Sequence, residues 1–292
     1  DPNLVAFGDR FFLYPTTDGS DGWAADSFRA FSSADLRVWT DHGPIFSVAN
    51  DTVWATGHAW APAAVERNGH FYLYYTAEGN IGVAKGDDPL GPFTDLGRPL
   101  VKGNVYPGQT IDPSLFADDD GVVYLLWGNE AAHVVPLNDD MMSFDRDLVT
   151  SFVPTGFREA AWIHKRAGIY YLSWSENDTR EAGYRVRYAT GSSPVGPWRD
   201  QGVLVEKRTE LGILATGHHS ITQVPGTDTW LIAYHRFAIP DGNGYRREIV
   251  IDELHHEAGG LLRPVSPTRV QADLTGLFPA PSATLPPPRT ER

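Results

Sequence analysis

The chain has no cysteine among its 292 residues, little positive charge and no long apolar run. Without cysteine it can form neither a disulfide nor a thiolate metal site. Its 37 acidic and 24 basic residues give a net charge of −13, which argues against nucleic acid or an anionic membrane as a partner. No apolar stretch approaches the length of a membrane-spanning helix, and no segment has the pattern of a long amphipathic helix.

Aromatic residues, in contrast, are abundant. Nine tryptophans and an aromatic content of 12% exceed the needs of most cores. Flat rings often line sugar sites, where they stack on the apolar faces of the sugar. In the alternative interpretation, most of these aromatic side chains pack between the sheets of the core. Length and a hydrophobic content of 41% allow one large core.

A strand pattern rich in aromatic and β-branched residues recurs five times. The copies begin near Arg10, Asn68, Val122, Ile169 and Thr229, each after a turn. Their spacing of roughly 45–60 residues is typical of propeller blades. The sequence therefore predicts an all-β fold, a five-bladed β-propeller.

The propeller is predicted to occupy residues 1–277 as a catalytic domain, followed by a Pro-rich tail or linker over residues 278–292. We expect a monomer. We also expect a segment upstream of Asp1 that includes a signal peptide, and hence an extracellular or secreted protein, with a cytoplasmic location as the alternative.

Three acidic stretches precede the first, third and fourth copies of the strand pattern. They contain Asp1, Asp112 and Glu159. Equivalent positions of different blades meet at one end of the propeller axis, so these carboxyl groups are predicted to converge. Two carboxyl groups in one pocket are the minimum equipment for acid–base hydrolysis of a glycosidic bond. An Asp before Pro also starts ordinary turns, but the common register with the repeat favours a site. For 118–121 the pattern favours a solvated hairpin turn instead.

Six motifs then follow one another in a specific order: Asp1-Pro2, Trp60-Ala61-Pro62, Ile111-Asp112-Pro113-Ser114, Glu159 before Tyr170-Tyr171-Leu172, Gly217-His218-His219-Ser220, and Tyr234-His235-Arg236. In this order the chain resembles glycoside hydrolase family 43 from Asp1 to about Thr268. Members of that family are inverting enzymes on a five-bladed propeller that act mostly on arabinose- and xylose-containing plant polysaccharides. The resemblance implies a carbohydrate substrate.

The resemblance also implies a role for each acid. Asp1 would be the general base that activates water, and Glu159 the general acid that protonates the leaving oxygen. Asp112 would hold Glu159 in place and raise its pKa, because a nearby negative charge disfavours ionisation.

Further site residues follow from the same resemblance. Trp60 would be a wall of the sugar pocket, with core packing as the alternative. Arg247 would be the substrate-side arginine, or else an ordinary cation at a strand edge. His218 would lie on the central axis and bind substrate or a calcium ion, or else be a buried histidine bonded within the channel. No cofactor is implied for the chemistry, and the calcium would be structural.

The substrate implied first is a terminal α-L-arabinofuranosyl residue, cleaved by exo-action. Alternatives within the family are β-xylosidase, β-galactofuranosidase and endo-arabinanase, and loops such as Thr17–Trp23 and Asn177–Glu181 are expected to decide among them as pocket walls. A non-catalytic carbohydrate-binding propeller is disfavoured because all three acids are present. The retaining fructan- and sucrose-cleaving propellers are disfavoured because Ile111 precedes Asp112 where they have arginine, and because cysteine is absent.

The chain departs from the family at two places. Glu159-Ala160-Ala161 stands where the family more often has Glu-Gly-Pro, which is expected to reshape the leaving-group side. Relatives also have several residues before the base, whereas the given sequence starts on it.

Overall fold

The computed structural model describes residues 1–18 and 21–269. The predicted tail over residues 278–292, and the domain boundary before it, lie outside this part of the chain. Within it, nineteen strands form five separate antiparallel sheets. No helix there is long and apolar enough to cross a membrane.

In each sheet the strands follow chain order. Blade 1 contains β1 (Pro2–Phe7), β2 (Arg10–Pro15), β3 (Ser27–Ser33) and β4 (Thr40–Ser47). Blade 2 contains β5 (Trp60–Arg67), β6 (His70–Ala77), β7 (Asn80–Gly86) and β8 (Thr94–Asp95). Blade 3 contains β9 (Ser114–Ala117), β10 (Val123–Trp127), β11 (Ala132–Pro136) and β12 (Thr150–Phe152). Blade 4 contains β13 (Glu159–Arg166), β14 (Ile169–Glu176), β15 (Arg185–Gly191) and β16 (Trp198–Val205). Blade 5 contains β17 (Gly217–Gln223), β18 (Trp230–Phe237) and β19 (Arg247–Leu254). Helical structure in the described residues is limited to α1 (Val48–Asp51) and short 3-10 turns at Asp21–Trp23, Arg146–Leu148 and Thr209–Leu211.

The first strands of the five blades form a closed ring around the axis. β1 contacts β5 and β17, β9 contacts β5 and β13, and β13 contacts β17. Side chains connect neighbouring blades: the Leu4 amide donates to Ser220 Oγ at 2.9 Å, and the Ala64 amide donates to Asn3 Oδ1 at 2.9 Å. The predicted all-β, five-bladed propeller is confirmed.

The aromatic strands that reveal the repeat are the second strands, β2, β6, β10, β14 and β18. Each lies between two strands of its own sheet and between two neighbouring blades, so both of its faces are buried. In β6, Tyr75 packs into the core shared with blade 1, whereas Tyr74 packs into the core shared with blade 3, and both are fully buried. Burying a large apolar side chain contributes roughly 1.5–3 kcal/mol, which explains why the pattern is strongest in these strands.

The hairpin predicted at 118–121 joins β9 to β10, but one side chain in it is not solvated. Asp118 is 6% exposed in its side chain and accepts hydrogen bonds from Lys165 Nζ and Tyr170 Oη, both at 2.6 Å. It therefore connects blade 3 to blade 4. The prediction of a turn was right, and that of solvation was wrong for Asp118, because the neighbouring blade supplies both donors.

A backbone irregularity recurs where four of the first strands begin. Ala61, Asp112, Ala160 and His218 have φ of 45°, 59°, 58° and 41°. In blades 2, 4 and 5 the pairing with the second strand shifts register at this point. Bulges re-aim side chains, and a left-handed backbone costs an L-residue about 1–2 kcal/mol. The fold thus accepts local strain at the end of the axis where the predicted acids lie.

Candidate active site

A cavity of about 720 Å³ opens at this end of the axis. Its lining brings together the six residues predicted for the site: Asp1, Trp60, Asp112, Glu159, His218 and Arg247. They come from four different blades and the segment before β9, so only the propeller ring can bring them together. Trp23 and residues 178–180, which belong to the two loops predicted as pocket walls, also line it.

Asp1 is held by donors on several sides. Its Oδ1 accepts from Arg247 Nη1 at 2.6 Å and lies 3.0 Å from His218 Nδ1. Its Oδ2 accepts from Thr16 Oγ1 at 2.7 Å and from Arg247 Nη2 at 3.3 Å. The side chain is only 12% exposed, so this carboxylate is fixed in direction at the wall of the cavity.

Arg247 begins β19, and its side chain is 4% exposed. Besides Asp1 it binds Asp18, to which it donates through Nε at 2.8 Å, Nη2 at 2.6 Å and its backbone amide at 2.9 Å. A buried guanidinium shared by two carboxylates differs from a solvated cation at a strand edge. The sequence analysis placed Asp18 in an expected wall loop but missed its pairing with Arg247, because nothing in the sequence connects residues 18 and 247.

Glu159 is 9% exposed, and each of its oxygens has its own donor. Asn129 Nδ2 donates to Oε2 at 2.6 Å, and Tyr184 Oη donates to Oε1 at 2.7 Å. Asn129 follows β10, and Tyr184 directly precedes β15. The sequence reasoning identified neither residue, and no motif marks them; their position after or before a strand at the cavity end is the signal that was available.

Asp112 lies in front of β9 and is 6% exposed. Its amide donates to Thr76 Oγ1 at 3.0 Å, which holds the left-handed backbone in place. Burial raises the pKa of Asp112 to about 7; the neighbouring His218 acts to lower it, and the negative charge of Glu159 acts to raise it. Asp112 therefore keeps its proton up to about neutral pH.

His218 connects the base side of the site to the acid side. Burial lowers the pKa of His218 to about 4, so the imidazole is neutral at neutral pH. A neutral ring can donate to the Asp1 carboxylate only if Nδ1 carries the hydrogen. The His218 amide donates to Ser175 Oγ at 2.9 Å, which fixes the start of β17 against blade 4.

Asp112, Glu159 and His218 can direct one ligand atom each to within 4.8 Å of one another. Calcium, the ion implied by the resemblance, binds about six to eight oxygen atoms. The cluster offers two carboxylates and a nitrogen, and both Glu159 oxygens already accept hydrogen bonds from Asn129 and Tyr184. As direct ligands, these three side chains supply too few free oxygens for calcium, and the chemistry proposed below needs no metal.

Trp60 lies beside a second tryptophan in the cavity wall. Its Nε1 donates to the carbonyl of Trp23 at 2.7 Å, and Trp23 Nε1 in turn donates to the carbonyl of Gly244 at 2.9 Å. The Tyr245 ring lies 4.6 Å from the Trp23 ring between centroids, and the Arg180 guanidinium lies 5.8 Å from it. Loops of blades 1, 4 and 5 therefore meet at Trp23. We call Trp23, together with its neighbours Trp60, Tyr245 and Arg180, the Trp23 wall.

The chain is similar in sequence and fold to known proteins. Residues 1–262 match the model of glycosyl hydrolases family 43. The chain is 35% identical to a β-D-galactofuranosidase of Aspergillus niger, over 92% of this chain and 82% of that protein. It is 31% identical to xylosidase/arabinosidase 43A of Humicola insolens, over 89% and 94% of the two chains. The structure of an α-L-arabinofuranosidase from Clostridium thermocellum is similar with a TM-score of 0.78 and 32% identity, covering 92% of this chain and 93% of that one.

Proposed function

The chain belongs to glycosyl hydrolase family 43 and is an inverting O-glycoside hydrolase, and from this premise we propose that it is an exo-acting α-L-arabinofuranosidase. Its substrates would be arabinose-containing plant polysaccharides or oligosaccharides. The observation that carries the proposal is the Trp23 wall, which stands beside three carboxyl groups in one cavity.

Trp23 and Trp60 line the cavity, and a fixed wall at this position would favour exo-action by obstructing one side of it. A polymer that is cut internally must leave the site in both directions, whereas a terminal residue needs only one opening. Trp23 is held by Gly244 and Trp60 and lies under Arg180, so loops from different blades would have to separate to open this side. Flat indole rings at that position suit the apolar face of a furanose.

Asp1 acts as the base in this proposal. In an inverting hydrolysis, water attacks the anomeric carbon while a carboxylate on that side accepts its proton. The hydrogen bonds from Arg247 and Thr16 aim the Asp1 carboxylate, and a fixed base saves part of the entropy cost of positioning. Neutral His218 adds a donor without adding a second full positive charge.

Glu159 acts as the acid and gives its proton to the oxygen of the leaving group. Hydrogen bonds from Asn129 and Tyr184 fix the direction of this carboxyl group. Asp112 lies within 4.8 Å of it, and two buried carboxyl groups this close cannot both ionise freely. Burial keeps Asp112 protonated up to about neutral pH, so at least one proton stays on this pair beside the leaving group.

Two alternatives keep the same chemistry and change only the sugar. β-Galactofuranosidase is supported by the Aspergillus niger relative, and β-xylosidase by the Humicola insolens relative. An endo-arabinanase is disfavoured by the Trp23 wall. A non-catalytic carbohydrate-binding propeller is disfavoured by the presence of Asp1, Asp112 and Glu159 in one cavity.

The test compares p-nitrophenyl α-L-arabinofuranoside, β-D-xyloside and β-D-galactofuranoside, with linear arabinan as the polymer. We expect the highest kcat/KM on the arabinofuranoside and release of arabinose alone from arabinan. Proton NMR should show the β-anomer as the first product of the α-arabinofuranoside. A higher kcat/KM on another glycoside would replace the sugar, early release of oligosaccharides would replace exo-action, and retention of configuration would overturn the mechanism.

A further inference from the structure

Arg247, which binds the proposed base, also binds a second carboxylate that has no part in the proposed chemistry. Asp18 follows the end of β2 and binds the Nε and Nη2 edge of the Arg247 guanidinium, next to the Nη1 and Nη2 end that binds Asp1. The side chains of Asp18 and Arg247 are 18% and 4% exposed, respectively, so neither contact is a solvated surface ion pair. Buried charges are retained in proteins when they are paired and hydrogen-bonded, and here one guanidinium satisfies two carboxylates.

The contacts to Arg247 are unequally divided. Asp18 receives three hydrogen bonds of 2.6–2.9 Å, one of them from the backbone amide that begins β19. Asp1 receives one short bond of 2.6 Å and one long bond of 3.3 Å. Asp18 therefore fixes both the backbone of Arg247 and the plane of its guanidinium. The orientation of the Asp1 carboxylate then follows from the direction in which this fixed guanidinium donates.

The division also affects the chemistry of the base. Asp1 already accepts from both Nη1 and Nη2 of Arg247, and without Asp18 the guanidinium would be free to rotate and shorten the 3.3 Å bond from Nη2. Arg247 would then occupy lone pairs of the Asp1 carboxylate that are needed to accept a proton from water. By binding Arg247 Nε and Nη2, Asp18 keeps the arginine from this closer pairing.

We propose that Asp18 is a positioning residue of the hydrolysis, which acts through Arg247 to hold the Asp1 carboxylate toward the attacking water. The inference rests on the proposed role of Asp1 as the base. Asp18 and Trp23 belong to the same loop of blade 1. This loop would therefore position the base in addition to forming a wall of the pocket.

The first test is Asp18→Asn, which keeps the size of the side chain but removes one of its two acceptors. Misplacement of a catalytic group by a fraction of an ångström to one ångström costs on the order of a hundredfold, so we expect kcat to fall by about 10- to 100-fold. Since the defect lies on the side of water attack, the fall should be equal for aryl glycosides with good and poor leaving groups, with KM changed by less than about threefold. Asp41→Asn is the matched control, because it breaks an Asp–Arg pair with Arg29 at the exposed edge of blade 1.

The second test is the double-mutant cycle of Asp18→Asn with Arg247→Lys. Lysine keeps the charge but cannot bind two carboxylates in fixed directions. If Asp18 acts through Arg247, Asp18→Asn should lower kcat by less than about threefold in the Arg247→Lys background. Equal losses in both backgrounds would overturn the inference, as would a folded Asp18→Asn enzyme with kcat within about twofold of wild type.

The variant Asp1→Asn tests the role of Asp1 as the base separately from the role of Asp18. Its activity should be lost on every substrate, and residual activity within about tenfold of wild type would exclude Asp1 as the base. An essential Asp1 with an inert Asp18 would overturn only the role of Asp18. All variants are assayed on whichever aryl glycoside the wild-type enzyme turns over, and circular dichroism establishes that each is folded.

Discussion

Carboxylate oxygens of Asp112 and Glu159 lie within 4.8 Å of each other at the end of the propeller axis. Burial raises the pKa of Asp112 to about 7, and the charge of Glu159 acts in the same direction. Protons leave such a pair in steps that belong to the pair rather than to one residue. The relationship therefore governs both activity and stability.

Activity should fall as the pH rises through about 7. Below that pH the pair holds the proton that the leaving group needs, and above it the proton is lost. Asp112→Asn removes the group of the pair whose pKa is raised to about 7, so the alkaline limb of kcat should move to lower pH. Profiles of kcat against pH, measured on a substrate with a poor leaving group, check this. An unchanged limb in the variant would show that Asp112 does not control the proton of the acid.

Asp112→Asn should lower activity near neutral pH but raise the stability of the fold at alkaline pH. Folding raises the pKa of Asp112 from 3.8 to about 7, so the folded chain binds a proton that the unfolded chain has released. The group therefore destabilises the fold increasingly as pH rises through this window. Asp112→Asn should raise the free energy of unfolding at pH 8 by up to about 4 kcal/mol and have little effect at pH 4. Urea unfolding at both pH values measures the difference, and an equal effect at both would contradict the prediction.

Glu159→Ala should discriminate between leaving groups. A leaving group with a low pKa departs without protonation, whereas an alcohol or sugar needs the proton of the acid. The variant should lose at least about a hundredfold in kcat/KM on natural oligosaccharides and much less on dinitrophenyl glycosides. Glu206→Ala, which removes a carboxylate that is 63% exposed in its side chain, is the control and should behave as wild type. Equal losses on both substrates would argue against Glu159 as the acid.

Trp23→Ala should change the products as well as the rate. Without the indole ring, the loops of blades 1, 4 and 5 lose their common contact, and that side of the cavity opens. We expect kcat/KM on an aryl α-L-arabinofuranoside to fall by about 10- to 100-fold, and longer oligosaccharides to appear among the products from arabinan. Trp23→Phe keeps a ring but loses the bond to the Gly244 carbonyl, and it should keep exo-action. Arabinose as the only product of the alanine variant would show that the wall does not set the mode of cleavage.

The sequence predicted the repeat because the second strand of each blade is buried on both faces. Tyr74 and Tyr75 are adjacent in sequence and pack into different cores, so their strand reads as a continuous aromatic run. The first strands were harder to recognise. β9 has only four residues, Ser114–Ala117, and the acids stand at the heads of these strands, one strand earlier than the aromatic copies.

The orientations of the acidic side chains could not be predicted, because they depend on a backbone geometry that is not evident from the residue types. Ala160 and Ala61 have left-handed φ where glycine would signal the bulge. The partners Asn129, Tyr184 and Asp18 were missed for another reason. Each comes from a different strand end than the acid or arginine it binds, and only the closed ring makes them neighbours.

The ring itself closes without a shared strand. Within the described residues, blades 1 and 5 belong to separate sheets, and the Leu4–Ser220 bond and the Asp18–Arg247 pair connect them. Turnover is therefore a sensitive reporter of circular integrity. In rising denaturant the first and last blades can separate while every sheet keeps its own backbone pairing, so catalysis should disappear before the β-sheet signal does. Selection for an active base thereby also selects for a ring that stays shut.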